Sequence, residues 1–175
     1  DALDALPATL VLLARLQSGG EPVGTARLQF GSDGEPLQLE SALSLPAEIV
    51  AGSRAEVTRL AVRAGAAPRV KLLLMKAIWL ACLARGARWL VIGARSDALV
   101  RDYRRLGFRD AVDAASPVAL AHAGGLPHRI LALDVANAER DWRAAGHPLY
   151  GFMVEARHAE LRLDDGVASR AWPMA

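Results

Sequence analysis

The sequence predicts one α/β (α+β) domain, built on a mixed and mostly antiparallel sheet with helices packed against it. Two observations carry this prediction. The first apolar segments are joined by a tight turn, and the segments after them alternate between strand-like and helix-like patterns. The 175 residues are enough for one domain with a sizeable core, and the chain contains no internal repeat or interdomain linker.

The N-terminal part predicts a β-hairpin. Residues 8–17 (ATLVLLARLQ) read as a mostly buried strand, residues 18–21 (SGGE) as a turn and residues 22–30 as a second strand. The segment that follows, up to residue 52, is irregular or helical, with weak boundaries.

The central part predicts a strand, a buried helix and another strand. Residues 56–63 form the first strand, and a loop at residues 64–68 follows it. The next run, residues 69–86, is apolar around nearly its whole circumference, as expected for a central helix that Gly86 ends. Residues 88–93 (RWLVIG) show the pattern of a buried strand.

The C-terminal part adds more elements of both kinds. Ser96 is a suitable N-cap for a helix through Arg105, and Gly107 stops that helix. The remaining elements are a strand at residues 129–135, a short polar helix at 136–145 and a less certain element at 149–156.

Composition excludes several classes of protein. The net charge of +2, from 21 basic and 19 acidic residues, gives no argument for nucleic acid as a partner. No apolar run approaches the roughly 20 residues of a membrane-spanning helix, and the first residues do not resemble a secretion signal, so we expect no integral membrane segment and a cytoplasmic protein. Cys82 and the four histidines show no metal-ligand spacing, so no metal is expected.

Residues 56–62 (EVTRLAV) resemble the E-x-x-R-[FL]-A-V signature of one branch of the acetyltransferase-like (GNAT) proteins. This branch contains the autoinducer synthases and the long-chain N-acyl amino acid synthases. Three further motifs resemble the same branch: residues 1–6 (DALDAL) its D-x-x-D-A segment, residues 24–28 (GTARL) its G-x-x-R-L strand and residues 103–108 (YRRLGF) its Y-x-x-x-G-F ending. Each motif is weak alone, but four in the right order are much less often accidental.

The resemblance implies a single acyltransferase-like domain over residues 1–175, with a V-shaped splay in the sheet and helices on both faces. It implies a bacterial N-acyltransferase that moves an acyl group from an acyl-carrier-protein thioester to the amine of an amino acid or a related small acceptor. The segment that precedes the D-x-x-D motif in this family is expected to be missing from the chain.

The resemblance also implies an acyl-phosphopantetheine donor, either acyl-ACP or acyl-CoA. Acetyl-CoA-dependent members carry an R/Q-x-x-G-x-G/A loop, which residues 63–69 (RAGAAPR) match poorly, and this favours a carrier protein as the partner. The loop leads into a helix N-terminus, which attracts phosphate. The expected donor-binding residues are Leu60, Val62, Arg63, Arg69, Val70 and Lys71. Arg101, Arg104 and Arg105 offer an acidic carrier protein a surface, or are simply a solvated helix face.

Acyl transfer to an amine needs a proton acceptor for the amine and a proton donor for the departing thiol. Glu56 could accept the amine proton directly or through water, and Tyr103 could protonate the thiolate. The alternatives are an ion pair of Glu56 with Arg59 or Arg27, and a packing role for Tyr103 at its helix end.

Arg27 and Arg59 are the expected anchors for an acceptor carboxylate. The resemblance places Asp1 and Asp4 in the same network, close to the acceptor. The alternative is a structural ion pair of these arginines with Asp1, Asp4 or Glu56.

The alternation of side chains along a strand tests whether Glu56 and Arg59 can line one pocket. In a regular strand Glu56 and Thr58 point to one face and Arg59 to the other, so Glu56 and Arg59 cannot line one pocket. A β-bulge would re-aim one side chain and free backbone N–H groups for the thioester. We therefore predict a bulge near residues 58–60.

Three other functions remain open. The close variant is a homoserine-lactone synthase that uses S-adenosylmethionine. The second is acyl-CoA-dependent N-acetylation of an unknown amine. The third is a noncatalytic module that binds an acyl chain or a carrier protein.

Overall fold

Seven strands form one sheet in the computed structural model, which describes residues 2–32, 35–113 and 116–163. The strands are β1 (Thr9–Arg15), β2 (Pro22–Gly31), β3 (Arg54–Val62), β4 (Trp89–Ala94), β5 (Arg109–Asp110), β6 (Val118–Leu120) and β7 (Leu126–Asp134). Their order is β1-β2-β3-β4-β7-β5, and β6 pairs with the start of β7. Since β3 and β4 are parallel and the other pairs are antiparallel, the predicted mixed and mostly antiparallel sheet is confirmed.

The helices lie on both faces of this sheet, as predicted. They are α1 (Ala47–Val50), α2 (Arg69–Ala84), α3 (Asp97–Arg105) and α4 (Val135–Ala144). Strand β4 shows the division: Leu90 and Ile92 pack with α2, α3 and α4, whereas Val91 packs on the other face with Leu39 and Ile49. Short helical turns lie at Ala2–Ala5, which is the N-terminal turn, and at Gln38–Ser41, Ala121–Ala123 and Gly151–Glu155.

The central helix α2 is buried on most of its circumference, in agreement with its apolar sequence. Lys76 is a charged residue, but it is fully buried like its apolar neighbours in α2. Its Nζ donates to the carbonyl oxygens of Phe152 at 2.7 Å and Ala156 at 2.5 Å. Burial lowers the pKa of this amine. The lysine therefore ties the turn Gly151–Glu155 to the middle of α2. No helix in the described residues has both the length and the apolar character needed to cross a bilayer.

The sheet splays between its two parallel strands. Residues Arg54 to Val57 of β3 pair with Trp89 to Ile92 of β4, and the ladder ends there. Beyond it, β3 continues along β2 while β4 continues along β7, so the two strands separate. The V-shaped splay that the sequence resemblance implied is therefore present.

The predicted bulge lies in β3 at the start of this splay. Arg27 pairs with Thr58 and Thr25 pairs with Ala61, so two residues, Arg59 and Leu60, oppose Ala26 alone. Arg59 has a φ of 54°, in the left-handed region that costs a residue with a side chain about 1–2 kcal/mol. The bulge therefore carries strain at a residue that the motif singles out.

Candidate active site

A cavity of about 490 Å³ occupies the splay between β3 and β4. Its β3 wall runs from Glu56 to Leu60 and includes Val62, and its β4 wall includes Ile92 and Gly93. A Cβ on Gly93 would lie 3.1 Å from Leu120 and 3.3 Å from the ring of His128, so the missing side chain keeps this wall open. Helix α3 contributes Tyr103, and the turn Ala121–Ala123 contributes His122.

Most charged groups that line this cavity are cations. Arg27, Arg59, Lys71 and Arg95 line it, with Glu56 as the one carboxylate among its described lining residues. A concave site with this balance attracts anions such as a carboxylate or a phosphate.

Glu56 lies beneath the cavity with its carboxylate held on both oxygens. Its Oε2 accepts from the backbone N–H of Leu39 at 3.1 Å, and its Oε1 lies 3.2 Å from Nε2 of His122. Within the described residues the partners of Glu56 are Leu39 and His122. The alternative of an ion pair between Glu56 and Arg27 or Arg59 is therefore not observed there.

His122 is a site residue that the sequence reasoning missed. It follows β6 in a short 3₁₀ turn, and 16% of its side chain is exposed, compared with 2% for Glu56. His128 lines the same cavity from β7, where its Nδ1 lies 2.7 Å from the carbonyl of Leu126. The spacing of the histidines along the chain carries no signal for a contact between a histidine and a distant strand.

Arg27 is buried, and polar groups of Thr58, Gln38 and Asp4 fix its orientation. Its Nε donates to Thr58 Oγ1 at 2.8 Å, its Nη2 to Gln38 Oε1 at 2.5 Å and its Nη1 to Asp4 Oδ1 at 3.3 Å. The residue is only 4% exposed. Arg27 thus joins β2, β3 and the N-terminal turn on one side of the cavity.

Arg59 lies on the other side of Asp4 and is much more open. Its Nη1 is 3.7 Å from Asp4 Oδ2, and 55% of its side chain is exposed. The bulge therefore brings Arg59 and Glu56 to one cavity, as the prediction required, and Asp4 joins the two arginines. Asp1 lies outside the described residues.

Tyr103 closes the cavity from α3. Its ring packs against Phe108 with 5.8 Å between ring centroids, and Lys71 Nζ lies 5.4 Å from the centre of the same ring. Burial, with a smaller contribution from the charge of Asp102, raises the pKa of Tyr103 to about 12. The phenol is therefore protonated at neutral pH and can donate a proton or a hydrogen bond.

The predicted donor-binding residues do not share one site, and Arg63 lines neither of the two spaces described next. Leu60, Val62 and Lys71 line the cavity, and Lys71 Nζ also pairs with Asp102 at 2.8 Å. Arg69 and Val70 instead line a separate groove, which lies between β1 and α2. Arg69 pairs with Glu160 at 2.6 Å, and Arg63 pairs with Glu21.

The groove between β1 and α2 has a volume of about 800 Å³ and a largely apolar lining. Leu10 and Leu12 line it from β1, and Leu73, Leu74 and Ala77 line it from α2. The groove is larger than the cavity in the splay, but Glu56, His122 and Tyr103 are not among its lining residues in the described part of the chain.

Solved structures of other proteins share this fold. FeeM, an N-acyl amino acid synthase from uncultured soil microbes, has 18% sequence identity and a TM-score of 0.64 over 87% of this chain and 78% of that chain. BjaI, a CoA-dependent acyl-homoserine lactone synthase, has 20% identity and a TM-score of 0.52 over 98% of this chain and 76% of that chain. ElaA of Escherichia coli has 19% identity and a TM-score of 0.50 over 75% and 72% of the two chains. The splayed sheet is thus the acetyltransferase-like fold of acyltransferases.

The family follows from the sequence. Residues 1–127 match the family model of the N-acyl amino acid synthase FeeM, and the chain belongs to this family. It is an N-acyltransferase. None of the curated proteins compared with the chain matches it in sequence.

Proposed function

We propose that this protein transfers an acyl group from the phosphopantetheine thioester of an acyl-carrier protein to the amine of an amino acid. The observation that carries the proposal is the cavity in the splay, which brings the buried carboxylate of Glu56 together with the protonated phenol of Tyr103 and with cationic side chains. In the described part of the chain these cations are Arg27, Arg59, Lys71 and Arg95.

The acceptor is bound through its carboxylate. Arg59 is the exposed cation at the bulge, and a guanidinium binds a carboxylate with two parallel hydrogen bonds. Arg27 is already held by Thr58, Gln38 and Asp4, so it organises the site from beneath rather than reaching the substrate.

The acceptor amine lies toward Glu56, where the site can take its proton. A neutral amine is the nucleophile, and the nitrogen must lose a proton as the amide forms. The apolar side chains that line the cavity, Leu60, Ile92, Leu99 and Leu120, receive the start of the acyl chain.

The bulge and Tyr103 act on the thioester. A bulge leaves an N–H of the strand outside the ladder, and such a group can hydrogen-bond the carbonyl oxygen as negative charge develops on it. Tyr103, protonated at neutral pH, gives a proton to the departing thiolate. Lys71, in the first turn of α2, adds positive charge where the phosphate of the donor arm would lie.

The donor class is tested by a direct competition. The purified protein is incubated with acyl-ACP or acyl-CoA of the same chain length and with a mixture of amino acids, and amide products are identified by mass spectrometry. We expect N-acyl amino acids from acyl-ACP. Product from acyl-CoA alone would overturn the carrier-protein donor, and donor binding without any product would overturn the catalytic proposal.

A parallel reaction with S-adenosylmethionine in place of the amino acids tests the lactone-forming alternative. We expect no acyl-homoserine lactone, because a carboxylate held by Arg59 is not free to attack the γ-carbon of S-adenosylmethionine and close the lactone ring. Lactone formation at a rate above that of N-acyl amino acid formation would overturn the proposed acceptor.

A further inference from the structure

We propose that His122 is the group that receives the amine proton, and that Glu56 acts by holding the imidazole in place. This inference rests on the proposed function and deepens it, because it assigns the proton to a histidine that none of the family motifs quoted above includes. The contact that carries it is the 3.2 Å approach of His122 Nε2 to Glu56 Oε1.

Glu56 is poorly placed to meet a substrate directly. Its side chain is only 2% exposed, and its two oxygens face the backbone N–H of Leu39 and the ring of His122. His122 is eight times more exposed, at 16%, and it lines the cavity. The ring therefore lies between the buried carboxylate and the space where the acceptor binds.

The contact with Glu56 also selects the tautomer of the ring. A carboxylate at Nε2 favours a proton on that nitrogen, which leaves the lone pair on Nδ1. A buried carboxylate then stabilises the imidazolium that forms when Nδ1 takes a second proton. In this arrangement the carboxylate of Glu56 orients the ring, and His122 accepts the proton.

The fold holds His122 in this place. The turn Ala121–Ala123 is closed by Gly124, whose φ is 74° and whose N–H donates to the carbonyl of Ala121 at 3.2 Å. The N–H of Gly125 donates to the carbonyl of Leu120 at 2.9 Å, and the Leu120 side chain is buried. The turn between β6 and β7 thus fixes the backbone on both sides of the histidine.

The neutral amine attacks the thioester carbonyl, the C–N bond forms, and the nitrogen gives one proton to Nδ1 of His122. The C–S bond breaks with its electron pair on sulfur, and the thiolate takes the proton of the Tyr103 hydroxyl. Transfer of the proton from His122 to the tyrosinate through solvent restores both groups, so that one amine and one thioester yield one amide and one thiol.

His128 is the matched control in the same cavity. Its Nδ1 is engaged by the carbonyl of Leu126 on its own strand, and its ring has no carboxylate partner among the described residues. The other titratable or charged groups that share this cavity with His122 are Glu56, Arg27, Arg59, Lys71, Arg95 and Tyr103.

The first experiment compares His122→Ala, His122→Gln and His128→Ala in the amide-forming assay. We expect kcat/KM of both His122 variants to fall by about 10²–10⁴-fold. Added imidazole should raise the activity of His122→Ala and leave the activity of His128→Ala unchanged. Near wild-type turnover by His122→Gln, which keeps a hydrogen-bond donor toward Glu56 but cannot accept the proton, would overturn the assignment.

The second experiment does not depend on activity. The signals of the ring nitrogens of His122 and His128 are followed by NMR at one neutral pH in the wild type and in Glu56→Gln. We expect the Nε2 and Nδ1 signals of His122 to move in the variant, because the carboxylate at Nε2 that selects the tautomer is lost, and the signals of His128 to move less. Unchanged His122 signals would overturn the pairing, whereas moved signals in a protein that forms no amide would mean that the proposed function, and not the pairing, had failed.

Discussion

Arg27 Nε donates a hydrogen bond to Thr58 Oγ1 at 2.8 Å, across the last paired residues of β2 and β3 before the bulge. The buried guanidinium thereby fixes the strand immediately ahead of Arg59. The strained backbone at Arg59 is supported by this neighbour, which explains how a costly conformation can persist at the edge of the cavity.

Arg27→Met should reduce the free energy of unfolding by about 1–3 kcal/mol, because it leaves Thr58 and Gln38 without their partner in a buried setting. The measurement is urea unfolding at neutral pH. Arg63→Met is the control, since the pair between Arg63 and Glu21 is exposed, and it should change stability by less than about 0.5 kcal/mol. Equal effects of the two variants would show that Arg27 is not the structural anchor of the bulge.

A comparison of Arg59→Gly with Arg59→Ala should distinguish the backbone strain at Arg59 from its role in binding the acceptor. Glycine adopts a positive φ freely, so the variant should be more stable than Arg59→Ala by about 1 kcal/mol. Both variants should raise the KM for the amino acid about 10- to 100-fold, as loss of charged hydrogen bonds to a carboxylate predicts. Thermal unfolding and steady-state kinetics measure the two effects. An alanine variant as stable as the glycine variant would contradict the strain, and an unchanged KM would contradict the anchor.

Glu56→Gln should lower kcat about 10²–10⁴-fold without unfolding the protein. Its control is Glu40→Gln on the same face of the sheet, where Glu40 Oε1 and Oε2 bind Arg54 at 2.6 and 3.0 Å. The control should lose stability and keep its kcat, because Glu40 is not among the lining residues of the cavity. Comparable kcat losses in both would indicate a general structural effect instead of a role for Glu56 in proton transfer.

Tyr103→Phe should protect the protein from alkaline unfolding. The pKa of Tyr103 is about 12 in the folded protein and near 10 when unfolded, so between these values the folded state holds the proton and the unfolded state has lost it. Wild-type stability should therefore fall as the pH rises above 10, by about 1 kcal/mol from this residue at pH 11. We expect urea unfolding at pH 8 and pH 11 to show that the free energy of unfolding of Tyr103→Phe rises relative to that of the wild type at the higher pH. A difference in the free energy of unfolding that does not change with pH would contradict the buried phenol.

Much of the sheet and the bulge could be predicted from sequence, because local patterns carry them. Helix α2 has a long apolar run with clear ends. Ser96 caps α3 by accepting from the N–H of Leu99 at 3.3 Å. The bulge followed from a conflict, since the motif puts Glu56 and Arg59 at one site while strand alternation separates them.

Other parts could not be predicted, because they depend on contacts between distant residues. Strands β5 and β6 have two and three residues, too few to show a period, so the sequence did not reveal them. The turn before β7 brings His122 to Glu56, and this pairing arises only when the sheet assembles. Arg69 and Lys71 line different spaces because residues two apart in the first turn of α2 point to opposite sides of the helix.

The central claim is that acyl transfer takes place in the splay of β3 and β4. The most direct test is a crystal structure of the protein with an N-acyl amino acid product bound. The account predicts the product carboxylate at Arg59, the amide nitrogen beside His122 and Glu56, and the start of the acyl chain against Leu60 and Ile92. A product bound wholly in the groove between β1 and α2, away from Glu56, would contradict it.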